Sequence, residues 1–350
     1  MTTLITGGAG FVGTNLAARL LRDGEHVLIL DSLAREGVEE NLQWLRETFR
    51  ARVTVEIGDV RDRGLVRSAV ARADAVFHFA AQVAVTTSLE DPVEDFEVNA
   101  GGTLNVLEAV RSRPVPPALV FTSTNKVYGA LCDLPMRRLN RRYAPLDEDT
   151  ARGIGEERKL DFHSPYGCSK GAADQYVRDY ARSYGLPAIV FRMSCIYGPH
   201  QFGTEDQGWV AHFLIQALEG RPITVYGDGR QVRDLLYVGD LVDAFLLAME
   251  RMPTESGAAF NIGGGPENAV SLLELLDLVA AITGRRPELC FDAWRPGDQT
   301  YYVSNTGLFE QATGWRPQTG VRRGVERLTS WLQRGRGKAR VGKAAAGAGL

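Results

Sequence analysis

Cysteine is scarce and scattered in this sequence. Cys132, Cys168, Cys195 and Cys290 include no close pair of the kind that holds a metal or runs a redox cycle. No metal site is therefore expected, and the four thiols read as free in a reducing compartment. Long apolar runs are missing too. The most apolar helix-like stretch, Leu241 to Met249, is interrupted by Asp243 and is far too short to span a bilayer. A net charge of −3 excludes the strongly basic footprint of a nucleic-acid binder and the acidic tail of a solvated domain. Met1 runs directly into a strand pattern, so no targeting segment is expected. These absences point to a soluble cytoplasmic protein with no nucleic-acid or membrane partner, and no internal repeat is visible.

What is present is an ordinary globular composition, 44% hydrophobic and 24% charged over 350 residues. That length suits one large α/β unit or two closely packed lobes. Short β-branched runs at Leu4-Ile5, Val27 to Leu30, Val53 to Ile57, Ala75 to Phe79, Leu119 to Phe121 and Ala188 to Phe191 alternate with helical patterns such as Phe11 to Arg22 and Val98 to Arg111. Such alternation predicts a doubly wound parallel sheet in an α/β fold, with its ligand at the carboxyl ends of the strands. The polar stretch from Ala130 to His163 reads either as an insertion capping the site or as a surface loop. After Phe191, turns at Tyr197-Gly198-Pro199, Tyr226 to Gly229 and Gly263 to Pro266 separate helical patterns at Val210 to Leu218, Leu241 to Met249 and Ser271 to Ile282. Residues 1–192 with 226–260 are expected to form the dinucleotide-binding domain, and 193–225 with 261–333 a smaller substrate lobe. Residues 334–350, rich in Gly, Ala, Arg and Lys, read as a disordered tail.

The first strand runs into Gly7-Gly8-Ala9-Gly10-Phe11-Val12-Gly13 and then into an amphipathic helix. Glycines there let the backbone approach a pyrophosphate, whose charge meets the amides of the helix N-terminus. Asp31 closes the second strand, where a carboxylate accepts from both ribose hydroxyls of adenosine and repels a 2′-phosphate. NAD is favoured over NADP on that ground, with Arg35 as the one feature that keeps NADP open. Tyr166 and Lys170, four apart, share one helix face. A free phenol has a pKa of about 10, and a neighbouring ammonium brings it toward the range of a useful base. Thr124, ending the strand Leu119 to Phe121, is placed to hold a substrate hydroxyl.

The glycine loop, Asp31, Thr124 with Val127-Tyr128-Gly129, and Tyr166 with Lys170 resemble the extended short-chain dehydrogenase/reductases, a Rossmann-type group of nucleotide-sugar epimerases, dehydratases and decarboxylases. The resemblance runs to about residue 330. It implies cofactor contacts from Gly7, Gly10, Phe11, Val12, Gly13, Asp31 and Ser32, from Asp59-Val60 near the adenine, and from Phe79-Ala80-Ala81-Gln82, Asn99, Tyr166 and Lys170. It implies a substrate diphosphate clasped by Arg233 and Arg295, with Asp298 beside them. Arginine suits that task because its planar fork takes phosphate oxygens in pairs. Homodimers or higher homo-oligomers are the implied assembly.

Dehydratases of this group carry Asp-Glu directly after the threonine, and decarboxylases keep a Glu two places after it. Here those places hold Asn125 and Lys126, neither of which removes a carbon-bound proton, so elimination is disfavoured. Ser123 to Gly129, Leu160 to Tyr176, Gln82-Val83-Ala84 with Thr86-Thr87-Ser88, and Asp206 to Val210 are similar to the CDP-tyvelose (CDP-paratose) 2-epimerases. That similarity implies C-2 inversion of a CDP-sugar by transient oxidation. Substrate contacts are implied from Thr87, Asn125, Lys126, His163, Ser164, Cys195, Gln207, Val210 and Tyr226. For Lys126, orienting a keto intermediate and standing as a solvated charge at the cleft rim are both open. Ser164 reads equally as a helix cap, and Cys168 and Cys195 as small fillers. C-4 epimerisation of a UDP- or GDP-sugar uses the same catalytic residues and remains an alternative, as do dehydration and a non-enzymatic NAD sensor.

Overall fold

The computed structural model describes the backbone of residues 1–347 and the side chains of residues 1–334. Its main sheet has seven strands, in the order Ala259–Ile262, Ala188–Met193, Ala118–Thr124, Ala75–His78, Thr2–Thr6, His26–Asp31 and Val53–Ile57, every pair parallel. Strands buried on both faces need near-continuous apolar sequence, and five of the six residues of Ala188–Met193 are buried accordingly. One face packs against the helices Phe11–Arg22, Val38–Phe49 and Val238–Glu255 through Leu16, Leu20, Leu42, Leu45 and Phe245. Arg63–Ala71, Gly102–Arg111 and Ser164–Tyr184 cover the other face with Val66, Val106, Leu107 and Val177. Strand order reverses between Thr2–Thr6 and Ala75–His78, and the crevice opens at that reversal.

The stretch 226–260 divides. Helix Val238–Glu255 packs on the main sheet, whereas Val232–Tyr237 pairs with Cys195–Tyr197, Ala269–Ser271 and Tyr301–Tyr302 in a second sheet. Ala259–Ile262 then returns as the seventh main-sheet strand, so the residues assigned to the smaller lobe from 261 onward begin inside the larger sheet. The smaller lobe has its own core, from Val210, Phe213, Leu214, Leu275, Leu276 and Val279 to Val325 and Leu328. Helix Leu272–Thr283 begins on a reciprocal cap, Ser271 Oγ accepting from the Glu274 amide while the Glu274 carboxylate accepts from Ser271. The final helix, Val321–Gly347, continues through most of the stretch that composition reads as a disordered tail; residues 348–350 lie outside the described residues. Among the described residues no helix is long and apolar enough to cross a membrane.

The polar stretch after Ala130 is a packed brace. Its hairpin, Met136–Arg138 with Tyr143–Pro145, docks on the smaller lobe: Arg142 pairs with Glu274, Arg141 with Asp277, and Tyr143 donates to Asp228 at 3.0 Å. Further on, the Ile154 amide donates to Val303 O at 2.7 Å, and Ile154 O accepts from the Asn305 amide and from Asn261 Nδ2 at 2.9 Å each. Asn261 belongs to the main sheet and Val303 to the segment after Tyr301–Tyr302, so this stretch ties the two lobes together.

Candidate active site

Three glycines of the first loop are there for different reasons. Gly7 has φ +69°, and a Cβ on it would meet the Ala80 amide nitrogen at 2.7 Å. At Gly13 a Cβ would run into the carbonyl of Gly7 and the Cα of Gly8, so the helix could not pack against the loop. Gly10 is open, with only Gly7 O at 3.1 Å, which leaves room for a ligand to approach the backbone. Helix Phe11–Arg22 starts after Gly10 with no side-chain cap and no acidic residue in its first turn, so its first amides face the crevice uncompensated. Asp31 Oδ2 accepts from the Ala9 amide and Oδ1 from the Leu33 amide, both at 2.9 Å. Burial pushes this carboxyl up, against those amides and the nearby Arg35. The carboxylate thus shapes the loop, and its remaining lone pairs are what it has left for ribose hydroxyls.

Asp59, expected at the adenine, is engaged by Arg61, whose guanidinium at 2.7 Å and backbone amide at 2.8 Å hold it below the usual carboxylate range. Val60 is buried against Gly102, so it can offer a ligand only its backbone. Ser32 is exposed. Phe79 and Ala80 hang from Thr6 through two amide hydrogen bonds, and Asn99 Nδ2 donates to Gln82 O at 3.1 Å. Asn99 sits in a π-helical turn, Glu97–Gly101, a local widening that helices often carry at functional sites.

A strap crosses this crevice. Asn15 donates to Pro199 O at 2.9 Å, and Asn41 donates to both Ala9 O and His200 O while its own oxygen meets His200 Nδ1 at 3.0 Å. The His200 ring lies on Trp44 with centroids 4.3 Å apart. The resulting cleft is lined by Gly10, Phe11, Arg35, Phe202 and Gln207. Gln207, expected at the substrate, therefore opens beside the glycine loop. The oxygens Gln207 Oε1, Thr86 Oγ1, Ser123 Oγ and Asn99 Oδ1 are buried without a protein partner among the described residues. Open Gly10, free helix amides and these orphaned oxygens fit a dinucleotide in the crevice.

Thr124, Tyr166 and Lys170 come together at the strand ends. Thr124 terminates Ala118–Thr124, and Tyr166 and Lys170 occupy the first turns of Ser164–Tyr184. The Tyr166 phenol is hydrogen-bonded to Thr124, yet burial pushes its pKa up to about 12, and the field of Asp95 adds to the rise. Lys170, its Nζ 4.3 Å over the Phe121 ring, is pushed down to about 7 by the same burial. The protein alone therefore does not bring the phenol into the working range that the lysine was expected to supply.

The turn after Thr124 reaches across to the smaller lobe. Asn125 Nδ2 donates to Gln299 Oε1 at 3.2 Å, and Gln299 donates to Gly129 O at 2.7 Å. Lys126 Nζ donates to Gly297 O at 2.9 Å, and burial pushes it down to about 8, with Arg233, Asp298 and Cys195 close enough to act on it. It is half-buried, tethered to the smaller lobe at the mouth of the cleft. Arg233 is buried and faces Asp298 at 3.8 Å. Arg295 stacks 3.7 Å over the Tyr226 ring and pairs with Asp206 at 3.2 Å, and Tyr226 donates to Glu205. Both guanidiniums thus hold carboxylates that a diphosphate would have to displace.

Other expected contacts are placed differently. Ser164 Oγ accepts from the Gly167 amide at 3.2 Å, the capping role, and its φ of +63° marks a sharp entry to the helix. His163 pairs with Asp161 at 3.1 Å and remains half exposed. Val210 is buried in the smaller lobe's core, so only its backbone is available. Cys195 accepts from Trp209 Nε1 at 3.5 Å, and burial pushes its thiol up, which suits a filler. Thr87 lies on the short helix Val85–Glu90. Gln299 and Asp95 were missed from the sequence; the one available signal was the position of Gln299 directly after Arg295-Pro296-Gly297-Asp298.

Comparison with known proteins agrees with this geometry. The sequence pattern of the NAD dependent epimerase/dehydratase family matches residues 3–263. A CDP-paratose 2-epimerase of Salmonella typhi is 41% identical over 95% of this chain and 99% of its own length. Among solved structures, UDP-glucose 4-epimerase of Thermus thermophilus in complex with NAD superposes with a TM-score of 0.79 at 35% identity, over 95% of this chain and 99% of that one. The dTDP-glucose 4,6-dehydratase of Streptomyces venezuelae, solved with NAD bound, gives 0.82 at 29% identity, over 96% and 98%. With the glycine crevice and the Thr124–Tyr166–Lys170 group on one sheet edge, the chain belongs to the NAD-dependent epimerase/dehydratase family of extended short-chain dehydrogenase/reductases, and its cofactor is NAD.

Proposed function

We propose that this enzyme inverts C-2 of a CDP-sugar, with Tyr166 as base, Lys170 and Thr124 as its supports, and Arg233 and Arg295 on the diphosphate. The observation that carries the reading is the turn after Thr124. Its two side chains are an amide bound to Gln299 and an ammonium bound to Gly297 O, so the positions that elimination fills with an acid–base pair hold no carboxylate. The 41% identity to a CDP-paratose 2-epimerase supports the choice of carbon and base. NAD, when bound, accepts a hydride from the carbinol carbon and gives it back. Tyr166 takes the hydroxyl proton as that hydride leaves and returns it when the hydride comes back. Thr124 holds the hydroxyl oxygen in line with the phenol, and Asn125 and Lys126 orient the flat keto group so that its opposite face is presented.

The test uses CDP-sugar deuterated at C-2, with product analysis by NMR. The label should return to C-2 with inverted configuration and no loss to solvent. Label kept at C-2 with inversion at C-4 would make the enzyme a C-4 epimerase. Solvent hydrogen at a deoxygenated C-6 would make it a dehydratase.

Substrate binding offers a second check. Arg295→Ala should raise KM roughly ten- to hundredfold with kcat little changed, since a charge-assisted contact contributes about 1.5–3 kcal/mol. Because Glu205 and Asp206 occupy Arg295 in the structure, Asp206→Asn should lower KM. A KM unmoved by both changes would place the diphosphate elsewhere.

A further inference from the structure

Beneath Lys170 lies a small set of buried charges that balances in an unexpected way. Lys170 and Arg192 are each only a few per cent exposed, and the carboxylates Asp174 and Asp95 are fully buried. Asp174 is already taken: it receives Arg192 Nε at 2.9 Å and Nη2 at 3.0 Å in a closed bidentate pair. Asp95 is held by neutral donors only, Ser169 Oγ at 2.5 Å on one oxygen and Asn99 Nδ2 at 3.1 Å on the other. A fully buried carboxyl held by neutral donors either takes up a proton, the direction in which burial pushes Asp95, or is kept ionised by the field of a nearby cation. Ser169 is the residue before Lys170, so the carboxylate is moored at the root of the catalytic side chain.

The groups facing Lys170 are few. From its own helix come Tyr166 and Asp174; from Ala118–Thr124, the Phe121 ring below Nζ. Strand Ala75–His78 brings His78, held neutral by burial that pushes it down to about 3 and locked between Thr6 and Thr103. Strand Ala188–Met193 brings Arg192, matched to Asp174, and helix Pro92–Phe96 brings Asp95. Asp174 acts on Lys170 more strongly than Asp95 does but is shared with Arg192, so Asp95 is the one carboxylate of the set held by neutral donors only.

We propose that Asp95, moored by Ser169 and Asn99, is the counter-ion that keeps Lys170 an ammonium, and hence a positioning residue for the Tyr166–Lys170 pair. The proposal rests on the reading of that pair as the proton-transferring group. Burial is the strongest influence on both groups, pushing Asp95 up and Lys170 down to about 7; against it, Ser169 and the field of Lys170 draw Asp95 back down, and the fields of Asp174 and Asp95 hold Lys170 up. Asp95 also raises Tyr166 directly, so the phenol feels it with two opposite signs, and the clean readout is Lys170 itself.

The chain has five lysines, which makes that readout accessible. Full-length NAD-bound protein is labelled with ¹³C at the lysine ε-carbon and titrated by NMR, with Lys170→Arg identifying the signal. Asp95→Asn should lower the Lys170 midpoint by about 1 unit or more, the effect of removing one close opposite charge. Ser169→Ala, which leaves the carboxylate but unties it, should move the midpoint the same way by less. A midpoint unmoved in both variants overturns the proposal; if Asp95→Asn does not fold, Ser169→Ala decides alone. The oxidation half-reaction of Asp95→Asn should slow at neutral pH while its KM stays near the parent value. Should Tyr166→Phe and Lys170→Arg retain full turnover, the catalytic reading itself falls. Should they lose it while Asp95→Asn leaves the midpoint in place, only the counter-ion is lost.

Discussion

Tyr166→Phe should lower sugar oxidation by about 10²–10⁴-fold while NAD stays bound, the usual loss when a positioned base is removed. The change deletes one oxygen, hydrogen-bonded to Thr124, so the helix and the crevice keep their packing. Two measurements separate the effects: NAD released on denaturing the purified variant, and single-turnover NADH absorbance after mixing with CDP-sugar. The pH dependence carries a sign of its own. Burial holds the phenol up to about 12 and brings Lys170 down to about 7, so in the parent the oxidation rate should rise with pH wherever phenolate is limiting. A positive charge brought beside the phenol by the bound cofactor shifts that limb toward neutrality. In Tyr166→Phe the residual rate should lose this limb. A variant that keeps both its rate and its acid limb would assign the base elsewhere.

Asp174→Ala is expected to have the largest effect on stability. It leaves the Arg192 guanidinium 3% exposed with its bidentate partner gone, and only the Tyr128 hydroxyl, 3.1 Å away, remains. Breaking a buried pair from one side destabilises by about 3–5 kcal/mol. Urea unfolding of the NAD-bound protein should show that loss as a lower midpoint. The double variant Asp174→Leu with Arg192→Met should recover most of it, since replacing both partners leaves no buried charge alone. A single variant as stable as the parent would mean that water reaches Arg192.

The sheet was legible because a parallel strand buried on both faces has to be a short apolar run, and six such runs sit between helical patterns. The glycine loop was legible because a strand, a glycine cluster and a helix occur there in sequence. Asp95 was not. In Asp91 to Glu97 four of seven residues are acidic, which reads as a solvated face. The π-helical turn that follows sets Asn99 under Asp95, and propensity gives no warning of it. Asn125 and Lys126 were recognised as the absence of a carboxylate pair, but their partners at Gly297 and Gln299 lie more than 170 residues along the chain. Only the fold brings that loop to them. The same distance hid the carboxylates around Arg295, because a sequence shows that an arginine is present and not what it already holds.

The stitch at Ile154 has a mechanical consequence. A segment bonded at once to Asn261 in the main sheet and to Val303 and Asn305 beyond it makes the base of the cleft stiff in shear. Lobe closure works through hinge residues that absorb backbone change or through small sliding of packed elements, and a segment bonded to both sides opposes the sliding. Here the seam is pinned, so the lobes are expected to keep their mutual angle when a ligand enters. Small-angle scattering of the NAD-bound protein should give the same radius of gyration with and without nucleotide sugar. Discrimination between sugars is then built into a static mould, and it should depend little on solvent viscosity.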